Sequence, residues 1–199
     1  MNTDKLLIIV VYVDDIIFGR NEESMIQNFA SVMQQEFEMS FLGELTYFLG
    51  LQVQQNKYGI FLSQTKYLKQ ILKKHGMEDS KPVCSPIVTR CNLSSNNESA
   101  AVHQPPYRSM IGSLLYLTGT RPDIMHAVGI IGRFQENHKE THLQVVKRIS
   151  KYLQGTQNFG LWYLEIQILH FMHIQMQIGQ EVLMTEIALV VVRSIWVLG

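Results

Sequence analysis

With 199 residues, 46% of them hydrophobic and 17% charged, the chain has enough apolar surface for one core or two small ones, and its composition excludes an intrinsically disordered polypeptide. Net charge is zero but unevenly spread: −6 over residues 1–56, +8 over residues 57–163 (14 Lys and Arg against 6 Asp and Glu) and −2 over residues 164–199. An acidic stretch followed by a basic one suits a cation site together with a surface for a phosphate backbone, with a plain solvated basic face as the alternative.

In chain order, residues 6–18 (LLIIVVYVDDIIF) come first, an apolar run interrupted only by the adjacent carboxylates Asp14 and Asp15. The run predicts two short β-strands joined by a tight turn, with the aspartates at the tip. Two readings stand side by side. Asp suits turns because its short side chain bonds nearby backbone amides. Alternatively, two mutually repelling carboxylates among β-branched residues are stabilised by a cation between them; Mg²⁺ takes one or two carboxylates and fills its shell with water and substrate phosphates. Successive strand residues point to opposite faces, so a shared ion requires the turn to redirect one aspartate.

Asn21 then reads as an N-cap, with Glu22 and Glu23 complementing the helix dipole and Ile26, Phe29, Met33 and Phe37 forming an apolar stripe. Residues 45–53 and 59–62, flanking the polar stretch 54–58, predict a second hairpin in which Gly50 serves a close backbone approach or a bulge. A helix over 64–75 places Tyr67, Leu68, Ile71 and Leu72 on one face, leaves Lys66, Lys69, Lys73 and Lys74 outside, and stops at Gly76. Two hairpins and two helices make an α+β unit over residues 1–78. Residues 79–104, rich in Ser, Asn and Pro, read as a long connection.

Residues 105–163 are patterned as helices. Pro105 and Pro106 open a first helix with Tyr107, Met110, Ile111, Leu114 and Leu115 inward, and residues 118–122 break it. A second carries Ile124, Ala127, Val128, Ile131 and Phe134. A third, over 141–153, buries Leu143, Val146, Ile149 and Tyr152, exposes Lys147, Arg148 and Lys151, and ends at Gly155. The pattern predicts a small bundle. His138 and His142, at i and i+4, read as surface histidines without a third metal ligand. Cys84 and Cys91 give no disulfide framework, point to a reducing compartment, and with His103 lack a recognised zinc spacing. No apolar run is long enough for a bilayer and no signal peptide is read, so no membrane partner is expected.

Tyr12-Val13-Asp14-Asp15 resembles the Y-x-D-D signature of reverse transcriptases, and YVDDIIFG resembles the form carried by Ty1/copia-type retrotransposon polymerases. The resemblance continues in FLGELTYFLGLQV (41–53), GIFLSQTKYLKQIL (59–72), YRSMIGSLLYLTGTRPDI (107–124) and KRISKYLQGT (147–156), five ordered blocks across residues 6–163. It implies an α+β fold: a partial palm of antiparallel hairpins with packed helices, followed by a helical thumb or connection bundle. It also implies Asp14 and Asp15 as catalytic, metal-binding residues in a two-Mg²⁺ site for RNA- or DNA-templated DNA synthesis. The hairpin over 45–62 would correspond to the primer grip, with Phe48, Leu49 and Gly50 the part that approaches the primer end. Lys66, Lys69, Lys73, Lys74, Lys147, Arg148 and Lys151 would contact the nucleic-acid backbone. The implied partners are an RNA/DNA template-primer duplex, a dNTP and a complementary polymerase fragment, and the implied location is an intracellular particle or the nucleus.

The resemblance further implies a third catalytic aspartate on an earlier strand and nucleotide-binding fingers. The chain starts thirteen residues before Asp14, and Asp4 lacks the family context, so an incomplete metal site and inactivity in isolation are expected. A non-catalytic nucleic-acid-binding remnant of a decayed element is the alternative. Residues 164–199 match nothing in the family, where a ribonuclease H domain ordinarily follows. When each codon's third base is read with the next codon's first two, Met172-His173 and Met176-Gln177 force Ala, Met184-Thr185 forces Asp and Trp196-Val197 forces Gly, because Met and Trp have one codon each. All four agree with a ribonuclease H start, so a frameshift near residues 163–167 is expected, and a coding sequence without such an alternate frame would refute it. An apolar dimerisation strand is the competing reading.

Overall fold

The computed structural model describes residues 7–13, 15–20, 24–88, 93, 104–164 and 195–198, with backbone alone for Arg20, residues 104–106 and residues 195–198. They form a mixed α and β structure with antiparallel sheets and five described helices. The chain divides into two compact units, residues 1–62 with 162–199, and residues 63–161.

In the first unit, β1 (Leu7–Tyr12) and β2 (Asp15–Arg20) form the expected hairpin, in register from Leu7 opposite Arg20 to Tyr12 opposite Asp15. Their sheet runs in the order β1-β2-β8-β3, with β3 at Phe41–Glu44 and β8 at Ile195–Leu198. Both faces of β2 are buried, which explains its unbroken apolar sequence. Ile16 and Phe18 pack with Ile26 and Ala30 of α1 (Ser24–Glu36), whereas Ile17 joins Leu45, Phe48, Val53, Ile60 and Leu62. Alternation along one strand thus feeds two cores. Phe37, expected on the stripe of α1, follows the last helical residue and is exposed. The Asn21 cap with Glu22 and Glu23 falls outside the described residues.

The expected single strand over 45–53 is instead folded back on itself. β4 (Tyr47–Phe48) and β5 (Leu51–Asn56) pair antiparallel, with Phe48 opposite Leu51, so Leu49 and Gly50 are a two-residue turn. Lys57 and Tyr58 then turn β5 into β6 (Gly59–Ser63), and the Asn56 side-chain oxygen accepts the Tyr58 amide at 2.8 Å. This second sheet runs β4-β5-β6-β7, closed by β7 (Gly160–Leu164), which the sequence pattern did not reveal. Gly59 permits that closure, since a Cβ there would lie 2.1 Å from the Tyr163 carbonyl oxygen.

The second unit has one continuous core, built from α2 (Thr65–Lys74), α3 (Gln104–Leu117), α4 (Pro122–Gly132) and α5 (Glu140–Gly155). Sequence pattern grouped α2 with the hairpins before it, but Leu68, Ile71 and Leu72 pack with the three later helices, because its apolar stripe matches theirs. Leu115, expected inward, is exposed, and Leu117 is buried in the same helix. His138 and His142, read as surface residues, are both buried. The Tyr107 ring stacks on His138 and Phe134 stacks on His142, each pair at 4.1 Å, and the Tyr107 hydroxyl donates to the Ile131 carbonyl at 2.9 Å. Burial pushes the Tyr107 phenol up to about 12. No described helix is long and apolar enough to cross a membrane.

Candidate functional site

The acidic doublet comes at the tip of the β1–β2 hairpin. Pairing of Tyr12 with Asp15 leaves a two-residue connection, Val13 and the residue after it; Asp14 itself lies outside the described residues. Asp15 is half-buried at the first position of β2. Directly opposed residues of an antiparallel pair share a face, so Asp15 sits with Tyr12 and, two residues on, with Ile17, on the face toward Phe48.

Val13 holds the tip in a backbone conformation with φ 56° and is 85% exposed. For a β-branched side chain this left-handed geometry is unfavourable, because Cβ crowds the following carbonyl, at a cost of about 1 to 2 kcal/mol. Only one other described non-glycine residue has a positive φ, Leu49 at 47°, followed by Gly50 at 80°. Positive φ at both central positions is the signature of the hairpin turn whose twist suits its strands. Gly50 is therefore a turn glycine and not a strand or bulge glycine.

These two strained turns adjoin. Tyr12 immediately precedes the first and Phe48 the second, and their rings meet edge-on with centroids 5.8 Å apart and planes at 84°. Phe48 is buried in the core under β2, while Tyr12 and Leu49 are exposed. The YVDD and FLG stretches, thirty-odd residues apart in sequence, thus form one surface feature whose inner wall is the Tyr12–Phe48 pair. Sequence reasoning placed both motifs and missed their contact; the Leu-Gly pair between the apolar Tyr47–Phe48 and the run from Leu51 was the available signal for the second turn.

The basic residues belong to the helical unit. Lys66, Lys69 and Lys73 recur at i, i+3 and i+7 on the exposed side of α2, and Lys74 donates to the Ser109 hydroxyl at 3.1 Å. Lys147 and Lys151 are exposed one turn apart on α5. Arg148 has different surroundings: it is half-buried and donates to the Ser85 hydroxyl at 3.1 Å, tying α5 to the segment after α2.

The TRPD stretch also folds into a function of its own, a structural one. Arg121 is 2% exposed just before α4. It donates through Nε and Nη2 to the two oxygens of Asp123 at 2.9 and 2.7 Å, and through Nη1 to the Thr156 carbonyl at 2.9 Å, with Tyr152 and Phe159 against its plane. Tyr152 donates to Asp123 at 2.8 Å. Burial alone would raise the Asp123 carboxyl, but these hydrogen bonds and the Arg121 charge together hold it below the ordinary carboxylate value. The network locks the start of α4 to the end of α5.

Among the described residues no three His, Cys, Asp or Glu side chains converge on one point. The carboxylates of the doublet are nonetheless the hard oxygen donors that a divalent cation takes one or two at a time.

Residues 1–89 match the family model described as reverse transcriptase (RNA-dependent DNA polymerase). The chain is similar to the retrovirus-related Pol polyprotein from transposon RE1 of Arabidopsis thaliana, 36% identical over 79% of this chain and 11% of that protein. It is 37% identical to an uncharacterized mitochondrial protein of the same plant over 77% of this chain and 64% of that protein. Identity is 33% to the Pol polyprotein from transposon TNT 1-94 of Nicotiana tabacum, over 77% of this chain and 12% of that protein. The chain thus spans about a tenth of these polyproteins and just under two thirds of the mitochondrial relative. No solved structure matches it.

Proposed function

Because this chain belongs to the Ty1/copia-type retrotransposon reverse-transcriptase family, we propose that its sheet unit is the rear of a polymerase palm and its helical unit the thumb and connection. In this reading Asp14 and Asp15 are the metal-binding carboxylates, Phe48, Leu49 and Gly50 approach the primer end, and the lysines of α2 and α5 hold the duplex backbone. The observation that carries it is the junction of two strained hairpin turns through Tyr12 and Phe48. Strain of this kind persists where the surroundings over-determine a geometry, and it clusters at working sites.

A divalent ion held by the doublet, Mg²⁺ in this proposal, would polarise the α-phosphate of a dNTP and favour the ionised primer 3′-hydroxyl. The chain's own residues do the rest. The turn at Val13 brings Asp15 to the start of β2, on the face toward Phe48. The Tyr12–Phe48 contact holds the Leu49–Gly50 turn against the hairpin that carries Asp15. The lysines contribute sequence-independent, salt-sensitive attraction to a template-primer duplex. The family match does not favour the alternative of a non-catalytic remnant.

Taken alone the doublet is a two-carboxylate site, so weak ion binding and no sustained synthesis are expected from the isolated chain. Paramagnetic Mn²⁺ titrated into the isotope-labelled chain should broaden the amides of Tyr12, Val13 and Phe48 first, and Asp14→Asn with Asp15→Asn should abolish the effect. Broadening centred elsewhere, or unchanged in the double variant, sinks the assignment. Robust primer extension by the purified chain would overturn the expectation of inactivity.

A further inference from the structure

We infer that the gap between β2 and β3 is an acceptor site for a short apolar β-strand, filled here by the chain's own Ile195–Leu198 and able to take the same strand from a second copy of the chain. β2 and β3 do not pair with each other. Each pairs with β8 instead: Val197 lies opposite Ile17 on one side and Gly43 on the other, and Trp196 opposite Phe18 and Glu44. The inserted strand comes last in the sequence yet occupies the interior of the sheet. Without it, β2 would present an open edge of unpaired N–H and C=O groups along Ile16, Ile17 and Phe18, whose side chains are already buried on both faces.

Three features mark the gap as a strand acceptor. The four residues that fill it, Ile-Trp-Val-Leu, carry no charge, and all have β-branched, aromatic or aliphatic side chains. Pairing with β2 is unbroken over four residues, whereas on the β3 side the register shifts between Phe41 and Gly43, where Gly43 takes φ 91° with open space about its Cβ position. One edge therefore selects the strand and the other accommodates it, as main-chain recognition of an added strand allows. Finally, residues 165–194 separate β8 from β7, so the occupant is joined to its slot through a thirty-residue connection. Covalent attachment gives the chain's own strand an advantage in effective concentration that a second copy must match to replace it. The result is a strand-exchanged dimer at high protein concentration.

The test uses the full chain with Val197→Pro, which removes an interior amide from β8, and a fluorescent peptide spanning residues 193–199. Of the β2 amides from Ile16 to Gly19, the alternate ones that face β8 should exchange at least tenfold faster in the variant than in the unaltered chain. Added peptide should bind the variant and restore their protection, while the same peptide carrying proline at that position should do neither. Unchanged exchange in the variant, or peptide binding without restored protection, overturns the proposal. Should the variant fail to fold, the unaltered chain is cut after folding at a protease site inserted between residues 164 and 195. The severed strand should stay bound until excess peptide displaces it; its immediate loss with no change in β2 exchange also overturns the proposal. In the unaltered, uncut chain a dimer should appear as concentration rises and be absent in Val197→Pro. A chain that stays monomeric at millimolar concentration while its cut form accepts the peptide would exclude the second copy as occupant.

Discussion

The sheet unit and the helical unit solve the same problem by different means. Among the described residues of the helical unit, seventeen buried ones form one cluster, so each helix is held by many neighbours and the loss of any one contact is shared. Among the described residues of the sheet unit, the buried ones split into a group of six and a group of four on the two faces of β2. What holds the sheets is chain return: β7 and β8 arrive after the whole helical unit to close one sheet and complete the other. The candidate site belongs to this second kind of structure. Its two turns with positive φ lie in this unit, where sheet geometry depends on pairing between strands distant in sequence.

The comparison can be broken most directly at Gly59. Gly59→Ala drives a Cβ into the β7 backbone, so a loss of about 3 to 4 kcal/mol is expected in denaturant unfolding, with exchange protection failing first in β6 and β7. An effect under 1 kcal/mol would mean that β7 is not what closes the sheet. In the helical unit, Ile124→Ala removes a fully buried side chain and should cost about 2 to 4 kcal/mol. Arg121→Met should cost about 2 to 3 kcal/mol, because it strands the Asp123 carboxylate and the Thr156 carbonyl while keeping the volume; a smaller loss would mean the network is dispensable.

Smaller effects sharpen the contrast. Val13→Asn puts a residue tolerant of positive φ at the hairpin tip and should stabilise the chain by about 1 kcal/mol, while weakening Mn²⁺ broadening if the strain serves the site. Acid should act on the helical unit through its histidines. Burial, then the His138 and Lys139 charges, lower the pKa of His142, and burial with Lys74 lowers that of His75. Both groups bind protons less readily folded than unfolded, so their contribution is complete above about pH 6.5 and is lost as pH falls through the folded values. Asp123, also lowered, adds a loss at more acidic pH. His142→Phe should flatten the upper part of this profile in denaturant midpoints between pH 7 and 5, and an unchanged slope would assign it to other groups.

Helical periodicity is a local property, and the amphipathic stripes of α2, α4 and α5 could be read residue by residue, as could the stop at Gly76 and the break at Thr118 to Pro122. The β1–β2 hairpin was equally legible, since one carboxylate pair in an apolar run marks a turn. By contrast, Leu115, expected inward, is exposed, because the width of a helix's inward face is set only by its neighbours. The burial of His138 and His142 came from aromatic partners that sequence spacing does not announce. The Leu49–Gly50 turn was hidden inside a run that looked like one strand.

What the amino-acid order determined by itself is therefore the set of helices and the acidic hairpin, which rest on residues within a few positions of one another, and the family, which rests on five ordered motif blocks. Tertiary structure alone decided that α2 packs with the later helices, that Tyr12 touches Phe48, that Arg121 joins α4 to α5, and that β7 and β8 return to the sheets. The reason is physical: backbone pairing between distant strands is nearly independent of side-chain identity, so it leaves little trace in sequence until the chain has closed on itself.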